Sequence, residues 1–359
     1  MLEGSLPIPP PSIVNYEVKH NKLSGQVSPA FCTLSSIKYI DFGHNNLSGM
    51  LPDCLVNASD SLLVLNLVHN SFGGTILEIC TDGSQLRMID LSCNKFKGCL
   101  PRSLSSCLML WTLNLRKNQL EDEFLSWLGT LPDLSMLMLR SNNLHRNIEK
   151  PISNSVFFFE ICVINLSYNV FIVKFPSEYF QKWNSMKSFN ATNSSYMKTV
   201  SNFITRTSAN SDFSWTQYYP MSIKITVKGV DRVFHQIQDV FVVIDFSSNM
   251  LEGEIPDSIA NLQGIRVLNL SNNILSGSIP STLGNITMLE SLDLSQNRFH
   301  GQILPQLKQL TFLAIFNVAH NNLTGPIPQG NQFATFETSS YDGNLGLCGY
   351  PLATKCWNS

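Results

Sequence analysis

The stretch Ile265-Arg-Val-Leu-Asn-Leu-Ser-Asn-Asn-Ile-Leu-Ser-Gly-Ser-Ile-Pro280 decides the fold, because the chain repeats its pattern many times. Four copies follow one another between residues 241 and 328. One asparagine stands at the same place in each copy, at intervals of 24 residues: Asn249, Asn273, Asn297 and Asn321. A fixed period of this length indicates an array of stacked structural units.

Each copy encodes one short strand, one turn and one outer segment. Leu268 and Leu270 alternate with polar residues, which predicts a strand with one inward face. Asn273 follows at the turn, where its side chain can bond main-chain groups that would otherwise be buried unpaired. Gly277 permits backbone conformations that other residues disfavour, and Pro280 restricts the backbone φ of the outer segment. Because one coil cannot bury both its flanks, we expect the coils to stack and their strands to form a parallel sheet.

Seven further copies precede these four. Their turn asparagines are Asn21, Asn45, Asn70, Asn94, Asn118, Asn142 and Asn169. In the last three of them Asp122, Arg146 and Val173 replace the glycine, so we expect less regular outer segments, with helical turns around residues 124–128. Asn169 and Asn249 are 80 residues apart where one copy needs 24, so about 56 residues are inserted.

The predicted organisation has five parts. They are an unstructured lead-in without an N-terminal cap, 1–12; seven repeats, 13–184; an insertion, 185–238; four repeats, 239–328; and a C-terminal cap, 329–359. The polar first half of the insertion favours a loose loop, whereas its aromatic second half favours docking onto the coil edge. Without an N-terminal cap, Val18 and Leu23 would lie on an uncovered edge, so we expect a piece of a longer array that self-associates.

Composition and motifs exclude several classes of function. A net charge of −2 argues against a nucleic-acid partner. The chain has no run of 18 apolar residues that would span a membrane, and residues 1–12 lack the apolar core of a signal peptide. The motifs G-x-S-x-G, H-E-x-x-H and G-x-x-x-x-G-K-[ST] are missing. The sequence therefore predicts neither an enzyme nor a cofactor.

The repeat L-x-x-L-x-L-x-x-N-x-L with its G-x-I-P ending resembles the plant-specific leucine-rich repeat. An insertion four repeats before the cap is similar to the arrangement of plant leucine-rich-repeat receptor-like proteins of the fungal-resistance type. Several stretches resemble that family's signatures: Trp127-Leu-Gly-Thr-Leu-Pro132, Leu139-Arg-Ser-Asn142, Tyr218-Tyr219 with Lys228-Gly229, Ile244-Asp-Phe-Ser247 and Gly343-Asn-Leu-Gly-Leu-Cys-Gly349. The expected fold is an α/β leucine-rich-repeat solenoid, mostly β, with a curved parallel sheet on the concave face and an irregular or short-helical outer side.

The resemblance implies an extracellular ligand-recognition ectodomain in plant defence or development, held at the plasma membrane. Its implied partners are a peptide or protein ligand and a co-receptor kinase with a short leucine-rich-repeat ectodomain. An alternative is a soluble inhibitor or decoy of a microbial wall-degrading enzyme, as in the related polygalacturonase-inhibiting class. The long insertion favours the receptor, and the missing membrane helix favours the inhibitor.

Two sets of residues are candidates for partner contact. Aromatic, Met and Arg side chains on adjacent coils are typical of interface cores, although scattered exposed apolar groups are also normal. The ligand-binding candidates are Trp111, Arg116, Met138 and Arg140, with Tyr218, Tyr219 and Lys228 from the insertion. The resemblance places co-receptor docking on the last four repeats, where the candidates are Val267, Ser291, Asp293, Ile315 and Asn317.

Two columns of polar residues recur from coil to coil. The middle outward strand position alternates Asp with Asn and predicts either a self-satisfied ladder or direct ligand contact. Its members are Asp41, Asn66, Asp90, Asn114, Met138, Asn165, Asp245, Asn269, Asp293 and Asn317. Histidines precede four turn asparagines, at His20, His44, His69 and His320. The three histidines on consecutive coils can titrate together near the acidic pH of a cell wall, or they are surface residues without a function. The sequence predicts no metal site at these histidines.

Nine cysteines and eight glycosylation sequons favour the secretory route. Cys348 and Cys356 in the cap are the strongest disulfide candidates. Cys32, Cys54 and Cys80 occupy similar outer positions, where two can pair or all three can be small buried residues. The sequons, some of which the repeat creates automatically, are Asn46, Asn57, Asn165, Asn190, Asn193, Asn269, Asn285 and Asn322.

Overall fold

The structure is a computed structural model of the chain. It describes residues 1–53, 55, 60–146, 158–174, 177–187 and 241–356, with the backbone alone at 173–174 and in four strands of the insertion. The predictions for Cys54, Asn57, Asn190, Asn193, Tyr219 and Lys228 lie outside the described residues.

One parallel sheet of 11 strands runs through the array in chain order. Each repeat supplies one strand, and the pairing of Val163–Asn165 with Val242–Asp245 carries the sheet across the insertion without a break. We call its outward surface the concave face. The strands are Asn15–Glu17, Tyr39–Asp41, Val64–Asn66, Met88–Asp90, Thr112–Asn114, Met136–Met138, Val163–Asn165, Val242–Asp245, Ile265–Asn269, Ser291–Asp293 and Ile315–Asn317.

A second strand follows each turn asparagine, and these strands form two further parallel sheets, which we call the lateral sheets. The six-stranded one contains Glu3–Ser5, Lys22–Gly25, Asn46–Gly49, Ser71–Gly74, Lys95–Gly98 and Gln119–Leu120. The seven-stranded one contains His145–Arg146, Val170–Lys174, Met250–Gly253, Ile274–Gly277, Arg298–Gly301, Asn322–Pro326 and Gly346–Cys348. Glycine ends most of these strands at positive φ, and Arg146 takes the same left-handed conformation, with φ 61°, where it replaces the glycine.

The outer side consists of irregular segments and short helical turns. The one α-helix of four residues or more among the described residues is Ser177–Phe180. The 3₁₀ turns are Pro29–Thr33, Arg102–Ser106, Ser126–Thr130, Asn184–Met186, Asp257–Asn261, Ser281–Asn285, Pro305–Gln309, Asn331–Ala334 and Thr338–Ser340. The turn expected around residues 124–128 begins two residues later, and similar turns also occur in the regular coils.

The insertion contributes two antiparallel hairpins in its described backbone. Ser201–Ile204 pairs with Trp215–Tyr218, and Ile223–Val227 pairs with Val230–Phe234. In the described residues no helix is long and apolar enough for a membrane crossing.

Inward leucine, isoleucine and phenylalanine side chains form one core along the array. Leu268, Leu270 and Leu275 are fully buried, as the inward positions of the repeat require. Burial of one such side chain stabilises the fold by about 1.5–3 kcal/mol. An aromatic group that includes Phe124, Tyr179 and Trp183 fills the core where the array meets the insertion.

The turn asparagines join neighbouring coils. Nδ2 of Asn273 donates to the carbonyl oxygens of Phe246, Leu270 and Ser271, and Oδ1 accepts from the amide of Leu251 at 3.0 Å. Asn344 makes the same set of bonds in the cap, with Oδ1 accepting from the amide of Leu323. The cap therefore continues the asparagine ladder as a twelfth turn, which the sequence reasoning had not recognised.

The expectation of an unstructured lead-in is wrong. Glu3–Ser5 pairs in parallel with Lys22–Gly25, and Leu23 is buried beneath it. Gly4 has φ +90°, like Gly25 and the other glycines of this column. Residues 2–7 read Leu-Glu-Gly-Ser-Leu-Pro, which is the second half of a repeat and folds as one.

The disulfides also differ in part from expectation. Cys348 and Cys356 are bonded across eight residues in the cap. Cys80 is bonded to Cys107, a pairing outside both alternatives given above, so a bond from Cys80 to Cys32 or Cys54 and a set of three unpaired cysteines are both excluded. The outer segments place Cys80 and Cys107 on adjacent coils with Cα atoms 5.4 Å apart. Cys32 is disulfide-bonded to a partner outside the described residues.

Candidate recognition surface

Three columns of side chains face outward on the concave face, because the strands are in register. The first is mostly apolar and buried: Tyr39, Val64, Met88, Thr112, Met136, Val163, Val243 and Val267. The second is the Asp/Asn column, and the third, two residues further on, carries Lys, Gly, Val, Ser, Arg or Ala.

The expected exposed ligand patch is mostly buried. Trp111 is 7% exposed, Met138 is 2% exposed and Arg116 is also buried, while Arg140 is half-buried. Trp111 and Met138 belong to a second apolar cluster that runs along the concave face. Alternation along the strands predicted correctly that Arg116, Met138 and Arg140 leave the inner core, but it does not show which residues of other coils surround them.

The Asp/Asn column is a hydrogen-bonded ladder. Asn165 Nδ2 donates to Asp245 Oδ2 at 3.1 Å, and Asn114 Nδ2 donates to Asp90 Oδ2 at 2.9 Å. Asp245 Oδ1 accepts from the amide and the hydroxyl of Ser247. Between coils 4 and 5, and between coils 7 and 8, this geometry matches the self-satisfied alternative, since the neighbouring side chains use the polar atoms; Met138 separates the two pairs in coil 6.

Arginines supply the positive charge next to the buried ladder carboxylates. Burial raises the pKa of Asp90 and Asp245. Among the interactions that lower these pKa values, the hydrogen bonds from Ser92 and Ser247 have the largest effect. The Arg140 guanidinium also lowers the pKa of Asp245, and it lies 4.6 Å from the ring centroid of Tyr168. The arginines therefore have a structural role beside any role in recognition.

The ladder becomes accessible at its C-terminal end. Asp293, Ile315 and Asn317 are half-buried, whereas Val267 and Ser291 are buried and offer no docking surface. Within residues 241–356, neither Asp293 Oδ2 nor Asn317 Nδ2 has a hydrogen-bond partner, although Oδ1 of each accepts from the backbone. Asp293 Oδ2 and Asn317 Nδ2 can thus pair with a partner protein, and so can Nδ2 of the half-buried Asn269 on the coil before them.

The sequons divide by exposure. Asn46, Asn285 and Asn322 are exposed, and Asn269 is half-buried. Asn165 is 5% exposed, and its side chain is part of the ladder, so we remove it from the proposed glycan sites.

Tyr218, a ligand-binding candidate of the insertion, lies on the strand Trp215–Tyr218.

The three N-terminal histidines form a stack. The ring centroids of His20 and His44 are 4.3 Å apart, and those of His44 and His69 are 4.7 Å apart, with nearly parallel planes. Burial and then the neighbouring His20 lower the pKa of His44, while Asp41 raises it. Across the described residues no group of three or more His, Cys, Asp or Glu side chains is arranged to hold a metal ion.

Comparison with known proteins agrees with this architecture. A family model described as Leucine Rich Repeat matches residues 36–58, 85–107, 241–262, 264–286 and 288–310. Receptor-like protein 34 of Arabidopsis thaliana is 46% identical over 309 residues, which cover 86% of this chain and 30% of that protein. Receptor-like protein 53 of the same plant is 43% identical over 356 residues, covering 97% of this chain and 34% of that protein.

A solved structure supports the fold. The leucine-rich-repeat ectodomain of the plant membrane receptor kinase GASSHO1/SCHENGEN3 from Arabidopsis thaliana, in complex with CASPARIAN STRIP INTEGRITY FACTOR 2, has a TM-score of 0.61 and 21% identity. The match covers 99% of this chain and 44% of that chain.

The fold and the repeats define a leucine-rich-repeat solenoid, so the expected fold class is confirmed. The chain belongs to the plant leucine-rich-repeat receptor-like proteins, the family that its sequence resembles. It spans about a third of the length of these two relatives.

Proposed function

We propose that the chain is an extracellular ligand-recognition ectodomain that binds a peptide or protein ligand and a co-receptor kinase at the plant cell surface. The observation that carries this proposal is the unbroken concave sheet, in which Val163–Asn165 pairs with Val242–Asp245. The concave face is therefore one continuous surface on both sides of the insertion.

Two further observations support a binding role. The receptor-like relatives are similar over most of this chain, and the solved receptor-kinase ectodomain of the same fold holds a protein factor. Disulfides and exposed glycosylation sequons are typical of proteins that pass through the secretory route. We propose no catalytic activity, because Asp90 and Asp245 are bonded to amide and hydroxyl groups and neither has a second carboxylate to act with.

We propose that co-receptor docking uses the accessible part of the last two coils. Ile315 and Asn317 lie on the last strand of the concave sheet, and Asn317 is the register partner of the half-buried Asp293. An apolar centre bordered by polar groups with unused bonding capacity is typical of a protein interface. Buried Ser291 and Val267 are the successive register partners of Ile315 and lie beside this surface on the same face.

The test is a binding measurement with purified ectodomains of short leucine-rich-repeat co-receptor kinases. Ile315→Arg places a charge at the proposed centre and is expected to weaken binding at least tenfold. Leu108→Arg is the matched control, because Leu108 is an apolar residue of 54% exposure outside the concave sheet. Equal binding by wild type and Ile315→Arg contradicts the docking surface, and absence of binding by wild type to the whole panel contradicts the co-receptor partner.

A further inference from the structure

The lateral sheets contain an unexpected group of apolar residues. The residue directly after each turn asparagine faces outward, and most coils place a polar or charged side chain there. Along the array this column reads Lys22, Asn46, Ser71, Lys95, Gln119, Asn143, Val170, Met250, Ile274, Arg298 and Asn322. The change to apolar side chains is confined to three consecutive coils next to the insertion.

The apolar side chains are exposed and adjoin one another. Val170 and Ile172 are each 46% exposed and lie on one face of their strand, because they are two residues apart. Ile172 is the register partner of Met250, which is 45% exposed. We call Val170, Ile172 and Met250 the lateral apolar patch. A contiguous exposed apolar patch on a folded protein indicates a binding site.

Negative charge borders the patch on its C-terminal side. Glu252 follows Met250 on the same strand face, and Glu254 comes two residues later; both are exposed. Within the part of the chain that the structure describes, neither carboxylate has an ion pair. On the opposite flank Glu121 and Glu123 are already paired with His145 and Arg146. Lys174, the register partner of Glu252, brings one positive charge to this border, so the two carboxylates leave it with a net negative charge.

We propose that the lateral apolar patch docks a basic amphipathic segment of another protein. The apolar side chains of that segment would cover Val170, Ile172 and Met250, and its Lys or Arg side chains would pair with Glu252 and Glu254. Three half-exposed side chains offer far less than the ~800 Å² per partner that a stable protein interface buries, which favours a segment over a second copy of this chain. This inference does not depend on the proposed ligand and co-receptor roles of the concave face.

The test uses the full chain and three labelled model peptides of equal length. One is an amphipathic Leu/Lys helix, the second replaces Lys by Glu, and the third replaces Leu by Ser. The patch variant combines Val170→Gln, Ile172→Ser and Met250→Ser, which are residue types that other coils carry at equivalent positions, as at Gln119, Ser48 and Ser71. Met50→Ser is the matched control, since Met50 is exposed but distant in the array.

We expect the Leu/Lys peptide to bind wild type and the Met50 control alike, and the patch variant at least tenfold more weakly. The double change Glu252→Gln and Glu254→Gln, on exposed residues, is expected to weaken it at least threefold. Equal binding by the patch variant, or equal binding of the Lys and Glu peptides, overturns the proposal. A wild-type dimer in light scattering that the patch variant abolishes would assign the patch to a second copy and also overturn it.

Discussion

Asn165 donates a hydrogen bond to Asp245 over 3.1 Å, although 80 residues of sequence separate the two. The bond joins the last strand before the insertion to the first strand after it. Asn114 and Asp90, at the equivalent strand positions of two earlier coils, make the same kind of bond. The insertion therefore leaves the concave ladder intact, and the two blocks of repeats act as one array.

The first prediction concerns this bond. Asp245→Ala leaves Asn165 Nδ2 and the Ser247 amide without their partner in a buried place, so we expect a loss of about 1–3 kcal/mol in the free energy of unfolding. Asp293→Ala is the matched control, because Asp293 has the same ladder position but is half-buried, and its loss should be smaller. Denaturant midpoints of the two variants measure the difference, and equal midpoints contradict a buried ladder.

The second prediction is a pH dependence at the histidine stack. The folded chain lowers the pKa of His44 below its unfolded value of about 6.5. The contribution of His44 to stability is therefore fully present above about pH 6.5, and it is lost as the pH falls through the folded pKa. His44→Asn, which tolerates φ 56°, should reduce the loss of stability between pH 7.5 and 5. Denaturant midpoints at both pH values check this, with exposed His300→Asn as the control. If the His44 variant loses as much stability between pH 7.5 and 5 as the wild type does, this prediction is wrong.

The third prediction concerns Cys80 and Cys107. Their bond closes a loop of 27 residues, and the double variant Cys80→Ser with Cys107→Ser should lose about 3 kcal/mol of stability. Cys99→Ser changes an exposed free thiol and should have little effect. Peptide mapping without reduction tests the pairing directly, and recovery of Cys80 linked to Cys32 or Cys54 would refute it.

The fourth prediction concerns the cap. Asn344→Ala removes the acceptor of the buried Leu323 amide, the donor bond to Val318 of the last coil and two donor bonds within the cap, so the last coil should open more easily. We expect hydrogen exchange of the Leu323 amide to accelerate at least tenfold, since each 1.4 kcal/mol of lost local stability gives a factor of ten. Asn322→Ala, on an exposed side chain of the same coil, is the control and should leave that exchange rate unchanged.

Periodic features were predictable because they depend on one residue type at one position. The turn asparagines, the inward leucines and the outward Asp/Asn column could all be placed from spacing alone. Asn344 was missed as a member of the ladder because it lies 23 residues after Asn321, beyond the last regular repeat. The first half-coil was missed because residues 2–7 carry only the end of the pattern.

The amino-acid sequence by itself determined that this chain stacks into a leucine-rich-repeat solenoid, since coils of this kind bury their apolar flanks only against one another. Tertiary structure alone decided which outward residues remain accessible, which cysteine bonds Cys80, and that Ile172 meets Met250 on the lateral sheet. These properties depend on neighbours from other coils, whose distance along the chain bears no relation to their distance in space.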